Sequence, residues 1–92
     1  IALDTNVLVR FLVTDDADQS ARAVALVERA IQADVMIYLS DIVMVETVWV
    51  LGRSYRFTRA EIAAIIHRLL AARHLELGSR GLITLALHRF ET

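Results

Sequence analysis

Three short apolar runs, Ile1–Leu3, Val35–Leu39 and the alternating pair Leu75 and Leu77, lie far apart in the chain. The residues between them recur at helical spacing. Val24, Val27 and Ile31, with Ala23, Leu26 and Ala30 beside them, form one such stripe. Strands separated by helices cannot be joined by hairpins. They need crossover connections, so they pair in parallel and the helices cover the sheet. The expected fold class is therefore α/β, a layered sandwich around a parallel sheet, in the order β–α–α–β–α–α–β–α.

Local signals place the helices. Val7–Val13 reads as one short helix. Asp15, Asp16 and Asp18 suit the cap and first turn of the next, where carboxylates meet free backbone N–H groups and the positive end of the dipole. Ser40 and Asp41 look like the cap of a helix through Ile42–Leu51, which Gly52 closes or loosens. Thr58-Arg59-Ala60-Glu61 fits a capping box, with Phe57 and Ile62 as the hydrophobic staple around it, and that helix reaches about Ala72. Gly78, Ser79 and Gly81 introduce a last helix, Leu82–Phe90.

Composition then removes whole classes of chemistry. With 92 residues the chain is one small domain, and 57% hydrophobic with 23% charged residues excludes an intrinsically disordered chain. No run approaches the ~18 apolar residues of a membrane span, and no signal peptide is visible, so the expected compartment is the cytoplasm. There is no cysteine, hence no disulfide and no thiolate chemistry. All ten basic residues are arginine, which removes the P-loop and the lysine Schiff base. A net charge of −1 gives no global attraction to nucleic acid. Arg10, Arg53 and Arg56 are candidates for a local phosphate path. His67, His74 and His88 form no metal-binding spacing.

Two carboxylates stand out. Asp4 ends the first apolar run, followed at once by Thr5 and Asn6. In open parallel sheets the functional crevice lies beyond the carboxyl ends of the strands. A catalytic carboxylate and a helix cap fit this position equally well. Glu46 sits in Ile42–Leu51, where only it and Thr47 are not apolar. Its helical neighbours Ile42, Val43, Trp49 and Val50 are all apolar, so burial is expected to force it to pair, protonate or bind a cation. Two acids at the mouth of a sheet, without cysteine, suit a hard, oxygen-liganded cation such as Mg²⁺ or Mn²⁺. Such ions activate water and offset the charge that develops in phosphodiester hydrolysis.

Residues 1–12, with the D-T-N context at Asp4, and residues 39–51, with Ser40 and Glu46, resemble the first two motifs of the PIN domain, and the likeness is nearest to the VapC-like toxins of VapBC toxin–antitoxin systems. The resemblance implies a PIN-like three-layer sandwich and an endoribonuclease dependent on Mg²⁺ or Mn²⁺. Asp4 and Glu46 would be metal-binding catalytic carboxylates, with Thr5, Asn6 and Ser40 supporting them. RNA would be the substrate, an antitoxin protein the inhibitor, and a homodimer or higher oligomer the assembly, with no membrane involved. The family's later aspartates, in a segment like D-F-A-D-A, have no counterpart in Leu82–Thr92, where Glu91 is the last acid. The expectation is thus a PIN-like domain truncated at its C-terminus and lacking its last strands. A fragment of that kind has a second possible role, as a catalytically incomplete binding or dimerising module. Its expected interfaces are the apolar faces of Val24–Ile31 and Ile62–Leu70. An aspartyl phosphotransferase is the weaker alternative, because Asn6 replaces the second aspartate it needs and there is no lysine.

Overall fold

The computed structural model describes residues 1–14 and 16–79. The expectations for Asp15, for the helix Leu82–Phe90 and for Glu91 lie outside these residues. Helix α1 (Thr5–Leu12) and helix α2 (Ala17–Gln32) precede strand β1 (Ile37–Leu39). Helices α3 (Asp41–Arg53) and α4 (Arg59–Ala71) then lead to strand β2 (Leu75–Leu77). From α1 to β2 the order of helices and strands agrees with the sequence reading.

Every helix begins where the sequence offers an oxygen to its free N–H groups. Asp4, Asp16, Ser40 and Thr58 each accept a hydrogen bond from a backbone N–H three residues on. The capping box is complete: the Glu61 carboxylate accepts from the Thr58 N–H at 2.9 Å, and Thr58 Oγ1 accepts from the Glu61 N–H at 3.1 Å. These bonds favour the charged form and hold the Glu61 carboxyl below its ordinary value of 4.5.

β1 and β2 pair in parallel, Ile37 with Leu75 and Leu39 with Leu77. The expected first strand contracts to a single parallel bridge, Ala2 with Tyr38. Its bonds are nonetheless regular. The Leu3 N–H donates to the Tyr38 carbonyl at 3.2 Å, and the Tyr38 N–H donates to the Ile1 carbonyl at 2.6 Å. On its other side β1 meets β2, through Ile37 N–H to His74 O and Gly78 N–H to Leu39 O. β1 is therefore the middle of three adjacent segments. The segments stay short because Asp4 and Ser40 start helices at once.

Leu39, Ile37, Leu51 and Leu8 are almost fully enclosed, and Ile62, Ile65, Ile66 and Leu69 of α4 close over them. The apolar faces of α2 and α4, expected to be interfaces, are thus spent mostly on the interior. Val27 and Ala30 are buried with them. The uncovered apolar stripe is on α3 instead. Met44, Thr47 and Leu51 point inward, whereas Ile42, Val45 and Trp49 are 71%, 69% and 61% exposed. No helix among the described residues is long and apolar enough to cross a membrane.

Gly52 does not end its helix. α3 continues through it to Arg53, and a Cβ there would meet only Ile62 Cδ1, at an ordinary 3.6 Å. Gly52→Ala should therefore stabilise the fold by about 1 kcal/mol through lost backbone entropy in the unfolded chain. A thermal melt checks this, and a lower melting temperature would contradict it. The left-handed conformation falls four residues later, at Arg56 with φ 56°, where a turn glycine would be unstrained.

Candidate metal and nucleic-acid site

Asp4 leaves the sheet at the carboxyl end of the first segment and caps α1 in the same step. One of its oxygens, Oδ1, accepts from the Val7 N–H at 2.9 Å. Its other oxygen has no hydrogen-bond partner among the described residues. The cap and the site are therefore not alternatives, since a single carboxylate has acceptor capacity for both.

Glu46 lies on α3, about one and a half turns past the Ser40 cap. The expectation that burial would force it to find a partner is not met, because Glu46 is exposed. Its apolar neighbours Ile42 and Trp49 are themselves turned outward. What the structure supplies instead is a specific contact. The Thr5 hydroxyl donates to Glu46 Oε1 at 3.0 Å across 41 residues of sequence. Thr5 follows Asp4 directly, so this bond joins the two carboxylate-bearing segments, and the other Glu46 oxygen has no hydrogen-bond partner among the described residues.

The supporting residues separate by role. Ser40 Oγ accepts from the Val43 N–H at 3.2 Å, so it fixes the start of α3 and, through the helix, the height of Glu46. Exposed Asn6, with Thr5, Val9, Arg10, Val50, Ser54 and Tyr55, lines an open groove of about 340 Å³ between α1 and the end of α3. Asn6 and Arg10 also border a second groove, where Arg22 and Gln19 of α2 face them. Of the three arginines considered for a phosphate path, Arg10 lines the groove beside Thr5. Arg53 lies over the Trp49 ring, and Arg56 occupies the exposed turn. His74 is 3.4 Å from Asp34, at the opposite end of β2 from Gly78, and His67 is on the surface.

A further feature at the strand ends escapes sequence reasoning. Ser79 Oγ donates to Asp41 Oδ2 at 2.7 Å, and Gly78 lies so close to Asp41 that a Cβ would come within 3.0 Å of Oδ1. This stitches the end of β2 to the start of α3. The 38-residue separation leaves no local pattern by which to find it.

The donor set suits a hard cation in kind. Asp4 and Glu46 offer exposed carboxylate oxygens. In number the set is small, since no group of three or more His, Cys, Asp or Glu residues converges among the described residues. Magnesium tolerates this, because it retains several waters and takes one or two carboxylates together with substrate phosphate oxygens.

Comparison with known families gives one match, to the PIN domain over residues 1–87. No curated protein and no solved structure matches the chain.

Proposed function

We propose, from the premise that the chain belongs to the PIN domain family, that it is a metal-dependent endoribonuclease of the VapC-like toxin type. PIN domains are in general nucleases that use divalent metals. The observation that carries the reading is the Thr5–Glu46 hydrogen bond, which holds together the segments bearing the two motif carboxylates. Mg²⁺ or Mn²⁺ is the ion that the oxygen donors favour, and the fold would be the family's three-layer arrangement. An antitoxin protein as inhibitor and a cytoplasmic setting belong to the same proposal.

A bound divalent cation supplies water activation and offsets charge on the phosphate. The chain's own residues do the positioning. Asp4 is fixed in rotamer by the Val7 N–H, and Glu46 is fixed by Thr5. Arg10 and Asn6, which line the groove beside Thr5, offer a guanidinium and an amide to the RNA backbone. Such contacts carry no sequence information, so target choice must come from elsewhere on the surface.

The small number of converging carboxylates among the described residues favours a second reading, a binding module without catalysis. One experiment separates the two. The chain is titrated with MgCl₂ and MnCl₂ by calorimetry and then incubated with single-stranded RNA, with and without chelator. Saturable cation binding and chelator-sensitive cleavage are expected. Heats no larger than dilution, together with intact RNA, would leave only the binding module.

A further inference from the structure

The groove beside Thr5 does not end at α1. Asn6 and Arg10 form a wall common to it and to the second groove, between α1 and α2, which is also about 340 Å³. Half-buried Val7 and Leu26 and buried Ala23 make the apolar floor of that second groove, with exposed Gln19 and Arg22 on its α2 side. Gln19, Arg22, Ala23 and Leu26 share one face of α2, so a single helix face supplies that whole side. An apolar floor with a few polar groups around it is the composition of a small-molecule pocket. An apolar cavity of about 150 Å³ already admits benzene, so a purine base has room here.

Gln19 is fixed in orientation at this groove. Its backbone N–H donates to Asp16 Oδ1 at 3.1 Å, and its side-chain Nε2 donates to Asp16 Oδ2 at 3.1 Å. A carboxylate only accepts, so the amide nitrogen must face Asp16. The Gln19 oxygen and the second N–H of Nε2 remain without a partner among the described residues. Such an amide sets an acceptor beside a donor. Adenine is its complement, with the N6 amino donor beside the N7 acceptor, whereas uracil has no amino group. Arg10 and Arg22 alone would serve an acidic peptide equally well. The apolar floor between them and the fixed amide favour a planar base with a phosphate on either side.

We propose that the groove between α1 and α2 is a base-reading subsite that takes one unpaired nucleotide and prefers adenine. Asn6 and Arg10 hold the backbone where the two grooves meet. The base lies on Val7, Ala23 and Leu26, Gln19 reads its edge, and Arg22 binds the next phosphate. The subsite supplies the sequence information that backbone contacts lack. That this nucleotide flanks the cut rests on the ribonuclease reading.

The test is fluorescence anisotropy of labelled oligoadenylate and oligouridylate on the full chain, in chelator so that neither strand is cut. Wild type is expected to bind oligoadenylate about 10-fold more tightly. Gln19→Ala should remove that preference and change oligouridylate affinity by less than about 2-fold. Arg22→Ala should weaken both strands alike and reduce the slope of log affinity against log salt by about 0.7, the share of one phosphate on a single strand. Both residues are exposed, so circular dichroism should be unchanged in both variants. Equal affinity of wild type for the two strands, a preference that survives Gln19→Ala, or a salt slope indifferent to Arg22→Ala would each overturn the proposal. So would poly-glutamate binding that Arg22→Ala abolishes in a chain that binds neither RNA, which would assign the groove to an acidic polypeptide. Replacing chelator with Mg²⁺ separates the subsite from the reading it rests on. Adenine-selective binding with both strands left intact upholds the subsite and sinks the ribonuclease reading alone, and cleavage without base preference does the reverse.

Discussion

Asp4→Asn is expected to lower RNA cleavage by about 100-fold or more while leaving the melting temperature nearly unchanged. The separation is possible because the cap role of Asp4 and its proposed ligand role depend on different properties. As a cap it needs only an oxygen to accept from the Val7 N–H, and asparagine caps about as well as aspartate. As a ligand for a hard cation it needs charge, which asparagine lacks. Asp4→Ala removes both roles, and should add a stability loss of about 1 kcal/mol to the lost activity. Initial cleavage rates at fixed Mg²⁺, read beside thermal melts of both variants, check the pair. Equal activity of wild type and Asp4→Asn would reduce Asp4 to a cap.

Leu39→Ala should be the most damaging single truncation in the sheet. Leu39 is 0% exposed, lies on the middle strand, and its carbonyl accepts from the Gly78 N–H at 3.0 Å. Removing a side chain so enclosed loses its transfer free energy and leaves a cavity, together about 3 kcal/mol. Small domains have only about 5 kcal/mol or a little more to lose, so the variant should be partly unfolded at ambient temperature. Urea denaturation of the two proteins measures the difference. A shift below about 1 kcal/mol would mean that the strand is not the centre of the core.

The elements that were legible in the sequence are those fixed by local chemistry. Thr58 and Glu61 announce a capping box because both partners lie within one turn, and the structure has both bonds. Ser40 and Asp16 were legible as caps for the same reason. The candidate site was named by type and position: Asp4 follows an apolar run, and Glu46 interrupts one. The surroundings of Glu46 were not legible. A helix that is apolar on most sides does not declare which side faces the core, so its neighbours were read as buried. The structure divides them, Met44, Thr47 and Leu51 inward and Ile42, Val45 and Trp49 outward. The Thr5–Glu46 and Ser79–Asp41 bonds were equally hidden, since each spans about forty residues and depends on the finished packing. Gly52 was open between closing and loosening its helix, and α3 runs through it to Arg53. Glycine often ends helices, but the left-handed turn residue here is Arg56.

The cap at Asp4 ties the chemistry of the site to the first turn of α1. When that turn frays, the Val7 N–H is released, and the carboxylate loses the bond that fixes its orientation. On the proposed metal-site reading, site assembly and local folding would be one equilibrium, and a cation bound at Asp4 would stabilise the closed turn with the logarithm of its concentration above the dissociation constant. If Asp4 holds a cation as proposed, hydrogen exchange at the Val7 amide would report its binding at a carboxylate three residues away.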